Sequence, residues 1–127
     1  MDDAKRQELI GKYIAAYNAF DSAGMAAVLS PDVCFEHYSG QERAHATTGI
    51  GQFLQLAAAS QSVFSEREQR IAGLEFTPET VVANIEFRGR LSADMPDGPP
   101  AGTVLELKGR SEFSFENGQI AKVIDRA

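Results

Sequence analysis

From Asp3 to Phe20 the apolar residues Leu9, Ile10, Tyr13, Ile14, Tyr17 and Phe20 recur at three- and four-residue intervals, the period of a helix with one buried face. Asp2 or Asp3 can cap it by accepting from a first-turn amide. A second, shorter helical run opens at Asp21 or Ser22 and passes through Met25, Val28 and Leu29; Pro31, which has no amide hydrogen, is expected to stop it. Val33 to Tyr38 then reads as a short edge strand, with Ser39, Gly40 and Gln41 as a turn or loop. Thr47 or Thr48 can cap a third helix carrying Ile50, Phe53, Leu54 and Ala57, although Gly49 and Gly51 weaken its first turn.

Beyond residue 63 the period changes to two. Val81, Ala83, Ile85, Phe87, Gly89 and Leu91 fall on one side of a strand, and Val82, Asn84, Glu86, Arg88 and Arg90 on the other. Glu66 to Phe76 is placed to pair with it through the Thr77–Thr80 turn. Asp94 to Gly102, with three prolines and two glycines, is a loop between strands. Thr103 to Phe115 alternates again, Glu116–Asn117–Gly118 reverses the chain, and a last strand runs from Gln119 to about Arg126. Three helices interrupted by one strand, then a four-strand antiparallel meander, predict an α+β domain with the helices covering one face.

The 127 residues suit one domain spanning 1–127, and 43% apolar with 24% charged residues suits a folded globular chain. Eighteen acids against twelve bases give a net charge of −6, which disfavours nucleic acid and anionic lipid as partners. The early charges Asp2, Asp3, Lys5, Arg6 and Glu8, and apolar runs of no more than four or five residues, argue against a signal peptide or membrane span. A single cysteine, Cys34, excludes an internal disulfide and fits a reducing cytoplasm; with two histidines and no cysteine cluster, a structural metal site is not expected.

The run Tyr-Ile-Ala-Ala-Tyr-Asn-Ala-Phe-Asp from Tyr13 to Asp21, the run Ala-Val-Leu-Ser-Pro-Asp-Val from Ala27 to Val33, and the pair Ile50 and Phe53 resemble the nuclear transport factor 2-like superfamily, in particular its SnoaL-like and ketosteroid isomerase-like members. The resemblance continues more weakly into Ser-Glu-Phe-Ser-Phe-Glu-Asn-Gly-Gln-Ile, Ser111 to Ile120. It implies a curved antiparallel sheet wrapped around three helices as a cone, with a pocket at one end. Members include isomerases, cyclases, dehydratases and hydrolases that use no cofactor, beside noncatalytic binding and association modules, so fold alone does not choose a function.

By that resemblance Tyr13 falls where the isomerase branch has its oxyanion-stabilising tyrosine, His37 where it has its proton-shuttling aspartate, and Ser111 near its second, protonated acid. Two of the three polar roles are changed, which argues against steroid isomerisation in that form. Imidazole chemistry suits proton transfer, and His37 shares strand parity with Phe35, so both can face a cavity. Asp125 can orient His37, provided that it faces inward; strand parity leaves this open, and the resemblance favours an inward Val123 and Asp125. A packed core tyrosine, a rim histidine and a solvated strand-end acid are the competing readings of these three residues.

Tyr17, Phe20, Phe35, Phe53, Phe87 and Phe113 are expected to line the pocket. Gly109 and Ser111 interrupt an otherwise bulky face, leaving room for a ligand or a bend. The resemblance also implies a homodimer through the charged outer sheet face, whose other reading is a solvated surface. His45 is expected on the surface of the loop after the first strand. Two functions follow from this reading: acid–base chemistry on a small, largely apolar oxygenated molecule, with His37 moving the proton, Asp125 orienting it and Tyr13 donating; or noncatalytic binding or association in the same cone.

Overall fold

The computed structural model describes residues 1–127. Helix α1 spans Asp3–Asn18, capped by the Asp2 carboxylate accepting from the Lys5 amide at 2.8 Å. Phe20 takes a left-handed φ of +56°, which turns the chain into α2, Ser22–Ala26, capped by Asp21. The strands are β1 (Leu29–Ser39), β2 (Glu42–Thr48), β3 (Phe64–Phe76), β4 (Thr80–Leu91), β5 (Val104–Glu116) and β6 (Gln119–Arg126), and α3 (Ile50–Gln61) separates β2 from β3.

The six strands form one curved, unclosed sheet in the order β2-β1-β6-β5-β4-β3. The β3 to β6 meander is antiparallel throughout, as the alternation predicts. The sheet as a whole is mixed, because β1 runs parallel to β6. The helices pack on its concave side: α1 against β3 and β6, α3 against β1, β2 and β3. Phe113, Ile10, Ile120, Val33, Val81 and Val123 are fully buried between these layers, each contributing about 1.5–3 kcal/mol of hydrophobic stabilisation.

Four local expectations are corrected. Helix α2 stops at Ala26, and Val28 and Leu29 lie beyond it, with Leu29 opening β1. Pro31 is accommodated in that strand because the β1–β6 register shifts between Leu29 and Cys34, so its missing amide leaves no pair broken. Strand β1 is an interior strand of eleven residues, covered on its outer edge by β2, which the sequence reading left as loop. Helix α3 has no side-chain cap: Thr48 is paired to Cys34 in the sheet, and Gly49, at φ +88°, precedes the helix and donates to the Val33 carbonyl.

The open parity of β6 is decided by a bulge. Phe115 pairs with Ile120 but Ser114 pairs with Lys122, leaving Ala121 unpaired. That one-residue slip lets Ile120 and Val123 both face the core and carries Asp125 to the concave side with them.

The outer face carries its charges in pairs within the chain, among them Arg88 with Glu106, Arg90 with Glu66, Lys122 with Glu36 and Arg126 with Glu112. No helix is long and apolar enough to cross a membrane.

Gly109 has no room for a side chain, since a Cβ there would lie 2.5 Å from the Arg126 carbonyl oxygen of the neighbouring strand, whereas Gly11, on the exposed side of α1, meets nothing within 4 Å. Gly109→Ala is expected to destabilise the protein by about 2 kcal/mol or more. Gly11→Ala, in a helix interior, is expected to stabilise it by about 0.5–1 kcal/mol. Urea denaturation of both variants checks the pair, and equal midpoints would contradict this packing.

Candidate active site

A cavity of about 430 Å³ opens between the concave sheet and the helices, within the range of small-molecule sites. Its wall is mostly apolar, with Phe35, Phe53, Phe64, Ile85 and Phe87 among the lining, and Leu107, 52% exposed, at its open part.

Strand register assembles the polar part. His45 on β2 stands opposite His37 on β1, His37 opposite Asp125 on β6, and Asp125 opposite Ser111 on β5. Four residues from four strands therefore form one transverse row, and all four line the cavity. The two imidazole rings are 6.2 Å apart. Ser111 Oγ donates to Asp125 Oδ1 at 2.6 Å, a short charge-assisted contact.

Burial pushes the Asp125 carboxyl above its ordinary value of 3.8, and the Ser111 hydrogen bond and the charge of His37 oppose this without cancelling it. His37 and Asp125 face each other in register but share no hydrogen bond; the carboxylate is held by Ser111 instead.

Tyr13 reaches the cavity from α1. Its ring packs edge-on against Phe113, centroids 5.8 Å apart, and tilted against Phe53 at 6.4 Å. Burial, and then the negative charge of Asp125, push its phenol well above 10, so it remains a hydrogen-bond donor. One turn on, Tyr17 is likewise raised by burial, opposed by the Arg67 guanidinium and the Gln69 amide. Gln69 Oε1 is buried without a donor.

Of the lining residues expected from the sequence, Tyr17, Phe35, Phe53, Phe87, Gly109 and Ser111 surround the cavity beside Tyr13, His37 and Asp125. Phe113 and Phe20 do not. Phe113 is fully buried beneath Tyr13, and Phe20 is turned by its left-handed backbone against Arg67, 4.5 Å from the guanidinium carbon. The glycine at 109 serves the close approach of β6 rather than ligand volume. His45 is exposed, as expected, but stands on a strand at the cavity rather than in a loop. Its signal was the Ser39–Glu42 turn, a two-residue hairpin with Gly40 at φ +62°. Arg67, in the cavity wall and only 7% exposed, was not anticipated at all. No three His, Cys, Asp or Glu side chains cluster closely enough to enclose a metal ion.

The SnoaL-like domain pattern matches residues 10–123. The chain belongs to the SnoaL-like family. Among solved structures it is similar to a candidate polyketide cyclase from Xanthomonas campestris (TM-score 0.81, 23% identity, 98% of this chain and 90% of that one). It is also similar to TsrD from Streptomyces laurentii (TM-score 0.80, 22% identity, 98% and 89%). A third is TerC, co-crystallised with polyporic acid (TM-score 0.75, 16% identity, 95% and 89%). At these identities the likeness shows the fold alone. No curated protein matches the chain.

Asp125 should cost this SnoaL-like chain stability as pH rises past the ordinary carboxylate range, for a definite reason. In the folded protein Asp125 holds its proton to a higher pH than in the unfolded chain. Between the two values the folded state binds more protons, so stability falls as pH rises through that window. Asp125→Asn, which keeps an acceptor for Ser111, lacks this loss. Its Tm should match wild type near pH ~3, exceed it increasingly as pH rises through the window above the ordinary carboxylate value, and keep a constant lead once Asp125 is ionised in the folded protein, by about 4 °C per kcal/mol relieved. A difference in Tm independent of pH would contradict the assignment.

Proposed function

We propose that this chain is a cytoplasmic SnoaL-like protein that binds a small, largely apolar oxygenated molecule in its cone and moves a proton on it without a cofactor. The observation that carries this reading is the half-buried Asp125 carboxyl in the cavity wall, raised by desolvation, held by Ser111 and sharing that cavity with Tyr13. A carboxyl that takes up a proton more readily than an exposed one is suited to general acid–base work near neutrality.

The arrangement supports an exchange of the roles expected from sequence. Asp125, rather than His37, removes a proton from a carbon beside a carbonyl. The C–H electron pair becomes the carbon–carbon π bond and the carbonyl π pair moves to oxygen, where the Tyr13 phenol donates to the developing charge. The protonated Asp125 then returns its proton to the same or a neighbouring position, so the protein ends unchanged. His37, the cross-strand neighbour of Asp125, restrains its upward shift through its charge. Homodimerisation through the outer face, implied by the resemblance, would reuse charges already paired within the chain, such as Arg90 with Glu66.

Enolisation of β-tetralone, followed by NMR as proton–deuterium exchange beside its carbonyl, tests the reading on a neutral bicyclic probe. Wild type is expected to accelerate exchange over buffer, and Asp125→Asn to lose about 10²–10⁴-fold of that acceleration. Tyr13→Phe is expected to raise the barrier by about 2–4 kcal/mol, as removal of an oxyanion donor does. Saturable binding with no exchange would replace the enzyme by a noncatalytic binding module of the same fold.

A further inference from the structure

Arg67 projects from β3 into the space between the sheet and the end of α1. Its Nε and Nη2 donate to the Tyr17 carbonyl at 3.1 and 2.9 Å, and its guanidinium carbon lies 3.6 Å from the Tyr17 ring centroid and 4.5 Å from that of Phe20. This is a helix C-terminal cap reinforced by stacking, and it explains why an arginine is tolerated there. It does not neutralise the charge. A helix terminus offers about half an electron, whereas the guanidinium carries a full positive charge, is 7% exposed, and has no carboxylate within ion-pair distance. Asp125, the one acidic side chain of the cavity lining, is held by Ser111 instead, and the phenols of Tyr13 and Tyr17 sense both groups. Burial also draws the guanidinium below its ordinary value, the mark of a cation short of counter-charge.

The cap uses one edge of the guanidinium. Nη1 has no acceptor in the protein, so the Nη1–Nη2 edge, the fork that takes a carboxylate with two parallel hydrogen bonds, is left without a partner. Arg67 and the buried, undonated Gln69 Oε1 lie two residues apart on β3, and both residues line the cavity. An ion entering there would supply the missing charge, and a neighbouring hydroxyl would satisfy the amide oxygen.

We infer that Arg67 is an anion subsite of the cone, and that the natural ligand is a largely apolar molecule bearing a carboxylate or another ionised oxygen. The anion docks on Arg67 beneath Tyr17, which places the rest of the ligand along the aromatic wall toward Tyr13 and Asp125. The inference rests on the reading of the cone as a small-molecule site and adds the charge of what enters it.

The test compares naphthoate with naphthylmethanol, two probes of the same apolar shape that differ in charge, by calorimetric titration of the intact protein at neutral pH and low salt. Naphthoate is expected to bind about tenfold or more tightly, as a charge-assisted pair would give. The preference should vanish in Arg67→Met, which keeps the stem between the aromatic rings, and persist in part in Arg67→Lys. In wild type the Arg67 Nε–H cross-peak should move on saturation with naphthoate, a readout that survives if the variants do not fold. Equal or tighter binding of the alcohol, or an unmoved Arg67 signal with naphthoate bound, overturns the anion subsite and leaves the cone reading standing. Failure of both probes to bind overturns the two together.

Discussion

The parallel pairing of β1 with β6 is the constraint on which the remainder of this molecule depends. It is the one junction between the helix-and-hairpin portion of the chain and the C-terminal meander within the sheet, and it joins residues as distant as His37 and Asp125. Closing a loop of that length costs roughly 4 kcal/mol of chain entropy beyond a constant. Burial of Val33, Phe35, Ile120 and Val123 on the two strands, at about 1.5–3 kcal/mol each, exceeds that cost.

The polar row follows from this junction. A shift of one residue in either register would separate His37 from Asp125 or turn one of them to the outer face. The Ala121 bulge, which lets two inward residues stand three apart, brings the β6 carboxylate into a cavity whose wall is mostly apolar. Function and stability then pull in opposite directions. The site keeps a carboxyl and a guanidinium in surroundings that penalise charge, each held by one local device: a serine hydroxyl for Asp125, and a helix end with two aromatic rings for Arg67. Neither group has a salt-bridge partner within the protein, so both stand in the cavity wall without a counter-charge.

The meander was legible because each of its strands buries one face, which writes a period of two into the chain; α1 was legible for the equivalent reason at helical period. β2 was not, because nearly all of its side chains are exposed and no apolar alternation marks it. The missed strand then misplaced β1 at the edge and His45 in a loop. The resemblance carried by Tyr13 to Leu54 pointed to the family and the cone, and the inward side of β6 with them. Phe20 and Phe113 show the limit of assigning a lining from residue type: both are aromatic and near the cavity, but a left-handed backbone at one and complete burial at the other take them out of it.

The sequence by itself determined the helices, the antiparallel meander, the acidic surface and the set of polar residues available for chemistry, since periodicity and composition are local properties. Only the tertiary structure decided which of those residues meet. The distance between Asp125 and Ser111, the choice of Ser111 over His37 as the carboxylate's partner, and the placing of Arg67 under Tyr17 depend on register across strands far apart in the chain. Register is a property of paired backbones, and no single segment encodes it.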